Sequence, residues 1–257
     1  MVSKFIILLA VSYFSSSAFG ISGGVQASAR DLPFVVDVGG CSASIIGPDV
    51  LLTAARCGKR SVQFVFDGVS YFADCENHPN WSSGSFDFDL ALCKISQEVR
   101  KVDLLARIEG VQVSHGGRVL FAGFGAGHLR FADLVIRDIF SNSFSADGNG
   151  EIQSGDVGGP AIVHVGDIVL GPFKILGVAI GRLSNSRRVL FSRIDVAGRF
   201  FDDFIRKRSA KICGINDECK VQGGEEECQN ERDIVDFFER ELANAKIILR
   251  QCLERRF

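Results

Sequence analysis

Gln153-Ser154-Gly155-Asp156-Val157-Gly158-Gly159-Pro160 is the stretch on which the reading of the whole chain turns. Three glycines and a proline within so few residues make a tight turn, not a regular element, and an apolar run at 161–165 follows at once. Two further blocks lie upstream, Leu51-Leu52-Thr53-Ala54-Ala55-Arg56-Cys57 and Asp87-Phe88-Asp89-Leu90-Ala91-Leu92. Around them, short apolar runs occupy 34–36, 41–46, 62–66, 69–73, 90–95, 118–123, 168–170 and 175–180, separated by turn residues such as Gly39-Gly40 and Gly47-Pro48-Asp49. Runs of that length without a helical period, bounded by Gly, Pro and Asp, predict an all-β barrel or sandwich. The Ser-, Asn- and Gly-rich residues 141–150 read as a loop.

A chain of 257 residues that is 46% hydrophobic can bury a full core, and one large domain with an appendage is the simplest count. Lys+Arg 29 against Asp+Glu 31 leaves a formal net charge of -2, with no basic excess to track a phosphate backbone, so nucleic acid is not an expected partner. Residues 1–20 have the three-part layout of a secretory signal: Lys4 in a polar start, an apolar run at 5–11, and Ser15-Ser16-Ser17-Ala18-Phe19-Gly20. The apolar run is too short to span a bilayer, and no other stretch is a candidate span. Cuts after Ala18 and after Gly20 both suit small-residue processing. Export and eight cysteines together favour disulfides, and Asn80-Trp81-Ser82 is a glycosylation sequon consistent with a secreted chain. No cysteine pair has zinc-site spacing, and no helical pattern follows Gly123, Gly125 and Gly127 to cradle a phosphate, so neither metal nor cofactor is expected.

The three blocks resemble the signature segments of the chymotrypsin/trypsin family of serine proteases, which read approximately LTAAHC, DIAL and GDSGGP. The resemblance covers about residues 21–207 and implies a double β-barrel. It places Asp89 at the orienting carboxylate, Arg56 at the histidine and Val157 at the serine, so the implied triad positions are vestigial. Gly155 falls at the oxyanion-hole glycine, a position that the turn itself also requires. A cut after Gly20 leaves Ile21-Ser22-Gly23-Gly24, similar to the family's IVGG start, whose ammonium pairs with the aspartate at Asp156. By the same register Glu151 stands at the base of the specificity pocket, Ala179-Ile180-Gly181 where the family has SWG, and Val189 near a pocket-wall glycine, where its bulk narrows the entrance. Gln153 replaces a family cysteine. The resemblance pairs Cys41 with Cys57; Cys75 and Cys93 then pair by elimination, a buried free thiol at Cys93 being the alternative. His78, His115, His128 and His164 lie outside the blocks and read as solvated side chains, and Ser154 faces away from the site.

Residues 209–257 fall outside that pattern and form an extension to the 21–208 body. They hold Cys213, Cys219, Cys228 and Cys252, two disulfides with three possible connectivities. Val235, Phe238, Leu242, Ala245, Leu249 and Cys252 share one helical face, with Asn230 as N-cap and acids before bases along the run. The helix packs on the body or on a partner. A valine has no attacking lone pair and an arginine cannot accept a proton, so the expectation is a secreted, non-catalytic protease homologue. Its double barrel binds a protein partner: a protease, a zymogen or another component of a proteolytic cascade. Two alternatives stand beside it: an endopeptidase acting through non-standard residues, and a structural secreted protein that oligomerises through its tail.

Overall fold

The computed structural model describes residues 21–219 apart from 22, 29–30, 59, 100–104, 109–111, 164–172 and 218. The signal segment, the expected strand at 168–170, His164, Cys228, Cys252 and the tail helix lie outside the described residues. The chain divides into two compact units, Met1–Cys219 and Lys220–Phe257.

Within the first unit the strands are β1 (Val25–Gln26), β2 (Val35–Asp37), β3 (Ser42–Gly47), β4 (Val50–Thr53), β5 (Ser61–Phe66), β6 (Val69–Asn77), β7 (Ala91–Ile95), β8 (Arg118–Gly123), β9 (Arg130–Ile139), β10 (Ser143–Gly148), β11 (Pro160–Val163), β12 (Ile175–Arg182) and β13 (Val189–Arg193). One helix, α1 (Gly198–Arg208), follows, and short 3-10 turns sit at Gly125–Gly127 and Ser154–Asp156. The first sheet runs β2-β3-β4-β7-β6-β5 and curls into a nearly closed barrel. The second runs β9-β10-β13-β12-β11-β8, and pairing of β8 with β9 closes it, with β1 added on β9. The expected all-β double barrel is therefore the fold of the protein.

The alternation that makes a half-buried strand is plain in β5, where Val62 and Phe64 face inward and Ser61, Gln63 and Val65 outward. By contrast β3 and β4 are buried along their whole length, because one face fills the first barrel and the other meets its surroundings in the core. Phe144 stacks on Phe191 at 5.0 Å between ring centroids, and Phe121 meets Phe191 edge-on at 5.4 Å, filling the second barrel. Cys75 and Cys93 are directly opposed on β6 and β7 and form a disulfide, as do Cys41 and Cys57, and so Cys93 is not a free thiol.

Residues 141–150 differ from expectation. Ser143–Gly148 form β10, a central strand of the second barrel between β9 and β13. Composition misled because two of its serines are buried: Phe144 and Ala146 fill the core, while the Ser145 hydroxyl donates to Asp138 Oδ2 at 2.9 Å, satisfying a group that would otherwise favour solvent. Strand β9, which turns Ala132, Leu134 and Ile136 inward at alternate positions, was legible by period and is absent from the expected set.

Helix α1 closes the body, burying Phe200, Phe201 and Phe204 and placing Arg206, Lys207 and Arg208 in its last turn, where the helix dipole favours cations. Residues 210–217 belong to the body: Cys213 N–H donates to Ile46 O at 2.8 Å, and Ile212 and Cys213 are buried. Cys213 and Cys219 form a disulfide.

Candidate functional site

Arg56 sits in the turn that follows β4, a turn held by the Cys41–Cys57 disulfide and by Cys57 N–H donating to Ala54 O at 2.9 Å. Asp89 ends the 78–90 loop just before β7. Phe88 precedes it in the left-handed region at φ 54°, an unfavourable conformation for an aromatic residue that turns the loop sharply into the core. The Asp89 carboxylate is fully buried and is the focus of the site. It accepts from Arg56 N–H at 2.9 Å, from the Ala55 N–H, and from Arg56 Nε in a short ion pair. Burial pushes the Asp89 carboxyl up from its ordinary value, while the Arg56 donors and charge pull in the opposite direction.

The rest of the guanidinium is engaged as well. Its Nη2 donates to Ser85 O at 3.2 Å, and its carbon lies 4.7 Å from the ring centroid of Phe86. Phe86 in turn reaches β12: a Cβ built on Gly181, whose φ is +149°, would come 3.1 Å from Phe86 Cε1. One aromatic ring thus links the Arg56 cation to the strand at the SWG-like position. Phe86 was not singled out from the sequence, since neither periodicity nor spacing marks a lone loop aromatic. Trp81 Nε1 donates to the same Ser85 carbonyl at 3.3 Å, so the loop is braced from its far side, and the sequon residue Asn80 is exposed on the turn before it.

Val157 ends the 3-10 turn at Ser154–Asp156 in an extended conformation, half-buried against the core, with its carbonyl accepting from Ser42 N–H at 2.8 Å. Gly158 has φ +90°, and a Cβ there would lie 2.1 Å from Ser42 O. A Cβ on Gly155 would lie 2.7 Å from Phe124 O. Packing alone therefore demands these glycines, and their presence in the motif says nothing about chemistry. Ser154 is exposed.

Asp156 is fully buried, with Gly125 N–H donating to Oδ1 at 2.6 Å, Gln153 N–H to Oδ2 at 2.8 Å, and a backbone N–H of Ile21 completing the set. Burial pushes its carboxyl up, and the three donors oppose that. Ile21 is itself fully buried, so the structure brings this expected pair together. The pocket positions are less coherent. Glu151 is half-buried and pairs with exposed Arg187 at 3.1 Å, which gives its charge a cation from the same chain. Val189 is fully buried in the core of the second barrel, not at an entrance, because β13 turns it inward beside Phe191. Both backbone groups of Ala179 are bound to the turn: Ala179 N–H donates to Gly159 O at 2.8 Å, and its carbonyl accepts from Gly158 N–H at 2.7 Å.

Of the histidines, His115 and His128 are exposed as expected. His78 is not solvated: it is buried, stacked on Phe88 at 4.5 Å and edge-on to Phe200 at 5.0 Å, and burial lowers its pKa. Its Nδ1 accepts from Asn80 N–H at 3.2 Å, so it holds the loop's entry turn. Among the described residues no group of three or more His, Cys, Asp or Glu side chains could hold a metal ion, and no helix is long and apolar enough to cross a membrane.

Comparison with known proteins agrees with this architecture. The trypsin family model matches residues 21–189. A trypsin of Xenopus laevis is 25% identical over an alignment of 188 positions that covers 56% of this chain and 75% of that protein.

Proposed function

The chain belongs to the trypsin family, and from that premise we propose that it is a secreted, non-catalytic member whose double barrel binds a protein partner and modulates a proteolytic cascade. One observation carries the reading: the carboxylate at the position that would orient a catalytic imidazole is instead neutralised by the guanidinium of Arg56. Acyl transfer in this family needs an oxygen nucleophile and a base that accepts and returns its proton near neutral pH. A guanidinium has five donors, no acceptor and a permanent charge. Val157 offers hydrocarbon where the oxygen is required. Loss of the nucleophile or the base costs about a millionfold in turnover in a serine protease of unrelated fold, and the losses are not additive.

The cleft supports the same conclusion. An extended substrate would have to lie along β12 at Gly181, where a Cβ would come within 3.1 Å of Phe86. Glu151, the acidic residue expected at the pocket base, is engaged by Arg187. Partner classes consistent with such a scaffold are a protease, a zymogen or a protein substrate of either. Incubation of the purified protein with denatured casein tests the non-catalytic part: no fragments are expected over hours. Fragments whose release stops in Asp89→Ala would overturn it.

A further inference from the structure

We propose that Arg130 is the internal cation that balances the buried Asp156 carboxylate, so that the turn at 154–157 is set before any cut frees Ile21 and the scaffold needs no activating protease. The inference deepens the binding-scaffold reading by naming its regulation, and rests on it.

Asp156 is fully buried, and a buried carboxylate stays charged only where donors and positive charge compensate the water it has lost. Its N–H donors Ile21, Gly125 and Gln153 are neutral peptide groups as long as Gly20 precedes Ile21. The residues ahead of Ile21 are Ala18-Phe19-Gly20, so no cut after Lys or Arg releases an ammonium at that point. In the uncut chain a countercharge has to come from within the fold.

Strand β9 supplies one. Ala132, Leu134 and Ile136 point into the second barrel at alternate positions, and Arg130 begins the same row. An arginine at the head of an apolar row calls for an electrostatic reason. Arg130 stands directly opposite Gly123 on β8, and the side chains of opposed residues rise on one face, about 5 Å apart. Asp156 lies on that face: a Cβ on Gly123 would come 2.7 Å from its Oδ1, and one on Gly125 would come 2.6 Å from its Oδ2. Register therefore starts the Arg130 side chain on the side where the carboxylate sits, and its charge favours the ionised form against burial. The two charges act through space, not by direct contact, in surroundings where screening is weak. Arg130 also holds the terminal segment, since its backbone is paired with Gln26 on β1 and its Nη2 donates to Gly24 O at 2.6 Å. Its Nε is buried without a hydrogen-bond partner, and among the described residues no other carboxylate pairs with this guanidinium.

The test compares two forms of the protein, one beginning at Ile21 and one retaining Phe19-Gly20, each with Arg130 unchanged, Arg130→Met and Arg130→Lys. In the form retaining Phe19-Gly20, Arg130→Met should lower the melting temperature by about 5 °C. In the form beginning at Ile21, where the free ammonium takes over the charge, the loss should be less than about half of that, so the gap between the two forms widens. Arg130→Lys, which keeps the charge and loses the planar fork, should recover most of the loss in the form retaining Phe19-Gly20. The hydrogen bond to Gly24 O is lost from both forms alike in Arg130→Met, and so a merely structural role lowers both equally. Equal losses in the two forms, including failure of both to fold, would overturn the proposal, as would no loss in either or no recovery with Arg130→Lys. Cleavage of casein would end the non-catalytic reading and leave these melting shifts unchanged, so the two failures are told apart.

Discussion

At the scale of single residues, Arg56 and Asp89 decide what the site can do. The carboxylate is completely buried and the guanidinium is 33% exposed, an arrangement between a surface pair and an internal one. Arg56→Met leaves a buried charge without its cation, and the expected loss at pH 7 is about 3 kcal/mol, the low end for a broken buried pair. Because burial raises the folded-state pKa of Asp89 above its unfolded value, the stability this group contributes is full below the unfolded pKa and is lost as pH rises through the folded one. Removing Arg56 raises the folded value further and extends that window upward. Urea denaturation should therefore show the Arg56→Met penalty shrinking as pH falls from 7 towards 4; a constant penalty would mean the pair is not the cause. Ile21 and Asp156 carry a second prediction. If trimming after Gly20 frees the Ile21 ammonium beside Asp156, the N-terminal form beginning at Ile21 should melt about 5 °C above one that retains Phe19-Gly20, as a charge-assisted bond of about 2 kcal/mol requires. Identical melting curves would show that the charge is not used.

Among the elements, the 78–90 loop does most to shape the crevice. His78 and Trp81 fix its near end, Phe88 turns it, and Phe86 spans from Arg56 to Gly181. A double-mutant cycle between Arg56→Met and Phe86→Ala should give a coupling of about 0.5–1 kcal/mol, the range for a cation over an exposed ring; additive losses would show that the ring merely lies nearby. None of this loop geometry was visible in the sequence. The three blocks singled out Arg56, Asp89 and Val157 because turn-forming glycines, a cysteine and a strand-ending aspartate keep a recognisable spacing along the chain. Phe86 has no such spacing: its neighbours Arg56 and Gly181 are distant in sequence and meet it only in the fold. The same limit explains β10, whose buried serines look like loop until Asp138 on the neighbouring strand is known, and His78, whose burial depends on Phe200 arriving from α1.

For the molecule as a whole, the barrels were legible because alternation, turn residues and the paired cysteines all agree on them. The pocket was less so, since Val189 was placed by register alone and β13 turns it into the core. Chemistry and access to the cleft are separable properties of the molecule. Arg56→His combined with Val157→Ser puts an imidazole next to Asp89 and a hydroxyl at the Val157 position, and leaves Phe86 near Gly181. That double variant should react with a small fluorophosphonate and still fail to cleave peptides, measured by mass spectrometry of the intact protein and of the peptide. Full peptide turnover would mean that the cleft was open all along. The most direct measurement of the central claim is the same mass experiment on the unaltered protein with excess fluorophosphonate. The account predicts an unchanged intact mass; a single covalent adduct on a serine of residues 21–208 would contradict it.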